Sequence, residues 1–295
     1  MRSTPRTLTA LASAALLGLG AIAGVAASAS AAPGGSSSDK RHDGWADDNK
    51  AVGLLSDGLG LRVFELNNPR DDDKIGTVSG LAGDTRLIGI DYRVQDRLFY
   101  GVGEAGGVYT LDSKTAVATK VSELTVALSG TNFGVDFNPA ADRLRVISDN
   151  GQNLRHNVNV GGTTIADTPL AYTPGTPAAG LTAAGYTNND LSASTATTLI
   201  DIDTSLDQVA LQVPANNGTL SATGLLGINV APVAGFDILS SLSSGVTDRN
   251  QGYAVLRSEG TSRSSLYKVD VLTGDLARVG SFDQSVVDLA VTQER

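Results

Sequence analysis

Apolar and polar positions alternate in three short runs between Asn132 and Asn157, and the same arrangement recurs along most of the chain. Phe133 to Phe137 predicts a strand stopped by Asn138-Pro139, and Leu144 to Ser148 predicts a second. Asp149-Asn150-Gly151 then supplies the turn residues that send Leu154 back antiparallel, because Asn-Gly readily adopts the positive φ of a tight hairpin. Proline cannot donate to a strand ladder, so the first boundary has a physical cause as well. The unit is a β-meander.

From Ala51 onward strand signals come every 8 to 12 residues and no helical period is sustained, which predicts an all-β domain. The motif apolar-Gly-apolar-Asp-apolar appears around Asp91, Asp136 and Asp237, Val286-Val287-Asp288-Leu289 is a last copy without the glycine, and Ala184-Gly185-Tyr186-Thr187 is a looser one. Taking Thr187 as the third of five equivalent positions, the steps are 45, 51, 50 and 51 residues. A second motif, apolar-Tyr-x-apolar-Asp followed by a turn, joins Val108 to Thr115 with Leu266 to Gly274. Periods of this length with four short strands each predict a β-propeller. Residues 51–295 divide into five units of 49, so five blades are expected, with six as the alternative. The domain opens with what would be a second strand, Ala51 to Leu55, and closes with an unpartnered first strand, Val286 to Val291. Joining the two closes the ring and removes the exposed edge.

Residues 1–31 predict a signal peptide: Arg2 and Arg6, an uncharged run from Leu8 to Val25, and the small residues Ala29-Ser30-Ala31. The expected product is secreted, extracellular or associated with the cell wall, with no membrane span after cleavage. Residues 32–50 are small, polar and aperiodic, as a flexible linker is, and hold the single tryptophan, Trp45. Loss of two arginines leaves 20 basic against 31 acidic residues, a surface that repels nucleic acid. With no cysteine, stability must come from packing and strand pairing. A monomer is expected.

The string Leu87 to Tyr92, Gly134 to Pro139, Asp142 to Arg145, Ser148 to Arg155, Asp167 to Tyr172, Ala184 to Asn189 and Leu199 to Asp203 resembles the bacterial exported family catalogued as domain of unknown function 4394. The resemblance runs from about Leu87 to Gly227 and implies a propeller-like exported domain. It carries no catalytic residues across.

Two constellations could carry chemistry. Asp91, Asp136, Asp237 and Asp288, one per innermost strand, could present carboxylates around a central channel, and hard oxygen ligands without His or Cys suit Ca²⁺. The alternative is that each Asp accepts hydrogen bonds from its own following turn. No cofactor is assured by any motif. Asp149, Asn150, Gln152, Asn153 and Arg155, with Asn188 one blade later, could form a polar rim that binds a small molecule or glycan. Arg143 and Arg145 could pair with Asp142 or Asp136 between blades.

Several other patterns lead nowhere. Gly101 to Gly106 spells G-x-G-x-x-G but precedes a strand, so it predicts a hairpin and not a phosphate site. Asp201, Asp203 and Asp207 lack the Gly and Glu of a calcium-binding helix–loop–helix. Asp71 to Asp73 predicts a solvated loop, His156 a solvated strand end, and no serine elbow is present. The expected function is a binding or scaffold module of unknown ligand with a polar rim. The alternatives are a Ca²⁺-dependent hydrolase or lyase acting on lactones or sugars, and a structural protein that binds an envelope partner.

Overall fold

In the computed structural model, which describes residues 50–292, the chain runs through twenty strands in five four-stranded antiparallel sheets. The first blade holds β1 (Lys50–Leu55), β2 (Gly60–Glu65) and β3 (Asn68–Thr77). The second is β4 (Leu87–Arg93), β5 (Leu98–Gly103), β6 (Gly107–Leu111) and β7 (Ala118–Glu123). The third is β8 (Phe133–Asn138), β9 (Arg143–Ser148), β10 (Asn153–His156) and β11 (Thr164–Ala166). The fourth is β12 (Leu181–Tyr186), β13 (Leu199–Asp203), β14 (Gln208–Gln212) and β15 (Leu220–Leu225). The fifth is β16 (Val230–Ser243), β17 (Val246–Ser258), β18 (Ser265–Val269) and β19 (Leu276–Ser281). The last strand, β20 (Val286–Val291), pairs antiparallel with β1 and completes the first blade.

This is the five-bladed propeller, closed by its C-terminal strand, that the period predicts. The innermost strands β20, β4, β8, β12 and β16 neighbour one another around the axis. The signal segment, Trp45 and the linker up to residue 49 lie outside the described residues, and Lys50, placed at the linker's end, is the first residue of β1. Among the described residues, no helix is long and apolar enough to cross a membrane.

The recurring glycine of the innermost motif has a steric cause. A Cβ on Gly134 would stand 2.8 Å from the backbone of Ala183 and Ala184, and one on Gly235 would stand 2.4 Å from Asp288 Cα. The innermost strands therefore approach too closely for a side chain at these points. Outside this hub the blades pack through apolar clusters, one at each junction. Between the fourth and fifth blades, for example, Ile200, Ile202 and Val209 meet Phe236, Ile238 and Leu256.

Turn chemistry follows the side chains read from the sequence, with some reassignments. Gly151 has φ 85° and closes the β9–β10 turn. Gly106, at φ 98°, makes the β5–β6 hairpin expected of the glycine-rich stretch. Asp71 to Asp73 sit in β3 and not in a loop, with Asp72 paired to Arg62 at 2.9 Å. The turn after β8 is held by Asn138, whose Oδ1 accepts from the Ala141 amide at 2.8 Å, while Asp112 and Asp270 cap the turns after β6 and β18. Asn138→Ala removes that acceptor and should cost about 1 kcal/mol, read as a small drop in denaturation midpoint at unchanged slope. No change in midpoint would show the turn to be held by Pro139 and the backbone bond from Asp142 N to Asn138 O.

Candidate metal centre

Asp91, Asp136, Asp237 and Asp288 lie on β4, β8, β16 and β20 and are 4%, 2%, 2% and 8% exposed. Each reaches forward to the innermost strand of the next blade. Asp288 Oδ2 accepts from Ile90 N at 2.8 Å, and Asp91 Oδ2 from Phe137 N at 2.6 Å. Asp136 Oδ1 accepts from Tyr186 N at 3.0 Å, and Asp237 Oδ2 from Val291 N at 2.6 Å. Asp237 and Asp288 also accept the amide of their own following residue, at 2.6 and 2.9 Å. The repeated carboxylate thus ties blade to blade, a role different from the capping of its own turn.

The fourth blade breaks the series, and the structure corrects which residue stands there. Tyr186 N donates to Asp136 as Phe137 N donates to Asp91, so Gly185 occupies the position of Asp136 and Thr187 falls past the end of β12. Thr187 instead bonds across the following loop to Thr197 and Thr198.

The ring is narrow enough for carboxylates to meet across it. One oxygen each from Asp91, Asp136 and Asp237 all lie within 4.8 Å of one another, and all three residues are buried. Among the described residues none of these carboxylates forms an ion pair with Lys, Arg or His. Burial, the largest cause, pushes all four above the ordinary carboxylate range. Neighbouring Asp charges add to the rise at Asp91, Asp136 and Asp288, and Asp237 is pushed up to about 7. Like charges this close in a low-dielectric site must share protons or a cation.

The cluster lies between two openings. At the end where the innermost strands begin, a cavity of about 150 Å³ takes residues from every blade, among them Ser56, Arg86, Asn132, Thr182 and Val233, and Asp288 lines it. At the other end Asp91 and Asp237 line a cavity of only about 10 Å³, with Asn189 and Ser240 beside them. The long β16–β17 hairpin packs there against the loop after β12, through Asn188 with Asn250 and Asp190 with Thr247.

The polar rim residues are distributed differently. Asp149, Asn150 and Gln152 sit in the β9–β10 turn, at the end with the wider mouth, whereas Asn188 follows β12 at the opposite end. Their polar groups largely serve the fold. Asp149 accepts from Thr131 N and Asn132 N at 2.9 and 3.0 Å, and Gln152 bonds Ser129 N and Ala127 O. Asn153 is buried between Arg145, Gln212, Thr168 and Ala215, and Arg155 pairs with Asp167.

Arg145 pairs with Asp167 at 2.8 Å and not with Asp136 or Asp142, and Asp142 pairs with Arg93. His156 is buried, contrary to the expectation of a solvated end; its Nε2 lies 2.7 Å from Ser122 Oγ and its Nδ1 3.0 Å from Thr164 Oγ1. Burial lowers its pKa. The signal for this was the alternation itself: Leu154 and His156 share a face of β10, and Leu154 is fully buried.

Comparison with known proteins agrees with this architecture. Residues 60–290 match the family described as Domain of unknown function (DUF4394). The chain belongs to this family. The match extends on both sides of the stretch that carried the resemblance in the sequence. No curated protein matches. A structural-genomics protein of unknown function from Bacteroides thetaiotaomicron VPI-5482 is similar at TM-score 0.50 and 12% identity, over 85% of this chain and 64% of that one. The DUF4394 chain therefore spans less than two thirds of that protein's length. An auxiliary nutrient binding protein from Bacteroides ovatus is similar at TM-score 0.39 and 11% identity, over 78% of this chain and 58% of that one. At these identities the likeness concerns the fold alone.

Proposed function

We propose that this DUF4394 chain is an exported, monomeric binding propeller that holds a divalent cation of the Ca²⁺ type in its axial channel. Asp91, Asp136 and Asp237 are the ligands, and Asp288 adds negative charge on the side of the wider mouth. The observation that carries the reading is the convergence of three buried carboxylates within 4.8 Å. An all-oxygen, all-carboxylate donor set suits a hard cation. Arg86, Asn132, Thr182 and Ser56 at the mouth offer hydrogen-bonding groups to a small polar molecule or glycan seated above the ion. The rim turns support the loops around that mouth.

The test is melting of the purified protein in Ca²⁺ and in chelator, beside Asp136→Asn. Saturation at a hundredfold excess over Kd stabilises by about 2.7 kcal/mol, a rise of roughly 5 to 10 °C for a domain of this size. Asp136→Asn keeps an oxygen for the Tyr186 amide and should lose most of the rise. Identical melting curves in Ca²⁺ and chelator would remove the ion from the channel.

A further inference from the structure

A second group of buried carboxylate oxygens lies between the third and fourth blades, away from the Asp91–Asp136–Asp237 cluster. Strand β13 reads Leu-Ile-Asp-Ile-Asp. Alternation sends Ile200 and Ile202 into the apolar cluster against β16 and turns Leu199, Asp201 and Asp203 toward the third blade. Asp203 is engaged: it accepts from Tyr172 Oη at 2.8 Å and from the Ser205 and Leu206 amides at 2.9 and 3.0 Å.

Asp201 is 0% exposed, and neither of its carboxylate oxygens has a hydrogen-bond partner. Gln212 lies diagonally across the same face, since Asp201 is opposite Ala210 and Leu199 opposite Gln212. Its Nε2 donates to Ala215 O at 2.6 Å and Asn153 Oδ1 at 3.3 Å, which fixes the amide's orientation and leaves a buried Oε1 without a donor. The positive charge that acts on Asp201 is Arg145, whose guanidinium is directed to Asp167, Asn153, Asn216 and the Tyr186 hydroxyl.

With Asp201 ionised these are three buried acceptors without a donor, and burial, which pushes its carboxyl above the ordinary range, leaves the site to take up either a proton or a guest. A water molecule donates only twice, so it leaves one of the three unsatisfied, whereas a metal cation serves all of them. Charge selects its valence. With Asp201 ionised, Arg145 and Arg155 stand against Asp167, Asp201 and Asp203, a balance of one negative charge that a single monovalent ion neutralises in place of a proton. We infer that the interface between the third and fourth blades holds an alkali-metal cation, coordinated by the Asp201 carboxylate and Gln212 Oε1. It is a structural ion that locks these two blades together, independent of the divalent ion proposed for the channel.

The experiment compares melting in sodium chloride with melting in tetramethylammonium chloride at equal ionic strength, each in saturating Ca²⁺ and in chelator. Wild type and Asp136→Asn should both melt a few degrees higher in sodium. Asp201→Asn should lose that difference while keeping its Ca²⁺ response, which also certifies that it folds. Failure of the channel reading would appear as a lost Ca²⁺ response with the sodium difference intact. Crystals of the wild type soaked in thallium(I) give a readout free of any variant, an anomalous peak beside Asp201 and Gln212. Equal melting in the two salts, or a soaked crystal with no peak there, or a water or a protonated Asp201 bonded to Gln212, would overturn the inference.

Discussion

In chelator, the protein should melt at progressively lower temperature as pH rises from about 5 to about 8. Asp237 has its carboxyl moved from 3.8 to about 7 by burial, and Asp91, Asp136 and Asp288 are moved in the same direction. Between the unfolded and folded values the native state holds more protons than the unfolded one, so stability falls with pH. The contribution is complete below 3.8 and is lost as pH climbs through about 7. For Asp237 alone the shift corresponds to on the order of 4 kcal/mol, hence roughly 10 °C in melting temperature.

Ca²⁺ competes with those protons, so its stabilisation should grow over the same interval and flatten the decline. Asp237→Asn, neutral at every pH, should make the chelator profile shallower. His156 works in the opposite sense: its pKa is lowered by burial, so its contribution is present above 6.5 and fades as pH falls. His156→Gln should therefore alter the acid limb and leave the decline above neutrality intact. A melting temperature in chelator that climbs from about pH 5 to about pH 8 would contradict the assignment of the cluster as an uncompensated set of buried acids.

The five-fold period, the closing strand and the three converging aspartates were legible because one physical constraint repeats at each blade. A hub of five strands needs glycine where backbones touch and an acceptor for the next blade's amide, and both needs leave residues in the sequence. The fourth blade has Ala183 at the glycine position and Gly185 at the acceptor position, so an alignment anchored on the glycine slides two residues, to Thr187 from Gly185. The rim set is divided between the two ends for a different reason. Turns between first and second strands lie at one end of a propeller and turns between second and third at the other, so Asn188 and Asp149 cannot share a mouth. Composition shows amides in a loop; strand parity decides where they go. Asp201 and Gln212 gave no separate signal, because a buried acid in an apolar strand is written like any alternating position until its neighbours are known.

Arg145→Met should be among the most damaging single substitutions, at about 3–5 kcal/mol, with a melting temperature lower by about 10 °C. Its side chain is 2% exposed and Asp167 is 5% exposed, in contact at 2.8 Å. Methionine fills much of the arginine's volume but donates nothing. Asp167 would keep only Arg155, while Asn216 Oδ1 and the Tyr186 hydroxyl would each lose a donor inside the interface. Arg155 binds the same carboxylate at 2.9 Å yet is 29% exposed, so water replaces much of what it supplies. Arg155→Met should accordingly cost less than about 1 kcal/mol. Pairing Arg145→Met with Asp167→Asn should cost less than the two single changes added together, since the second change removes the charge that the first strands. Equal costs for Arg145→Met and Arg155→Met would mean that water reaches Asp167 from both sides, and that the third and fourth blades are held by their apolar cluster without help from this network.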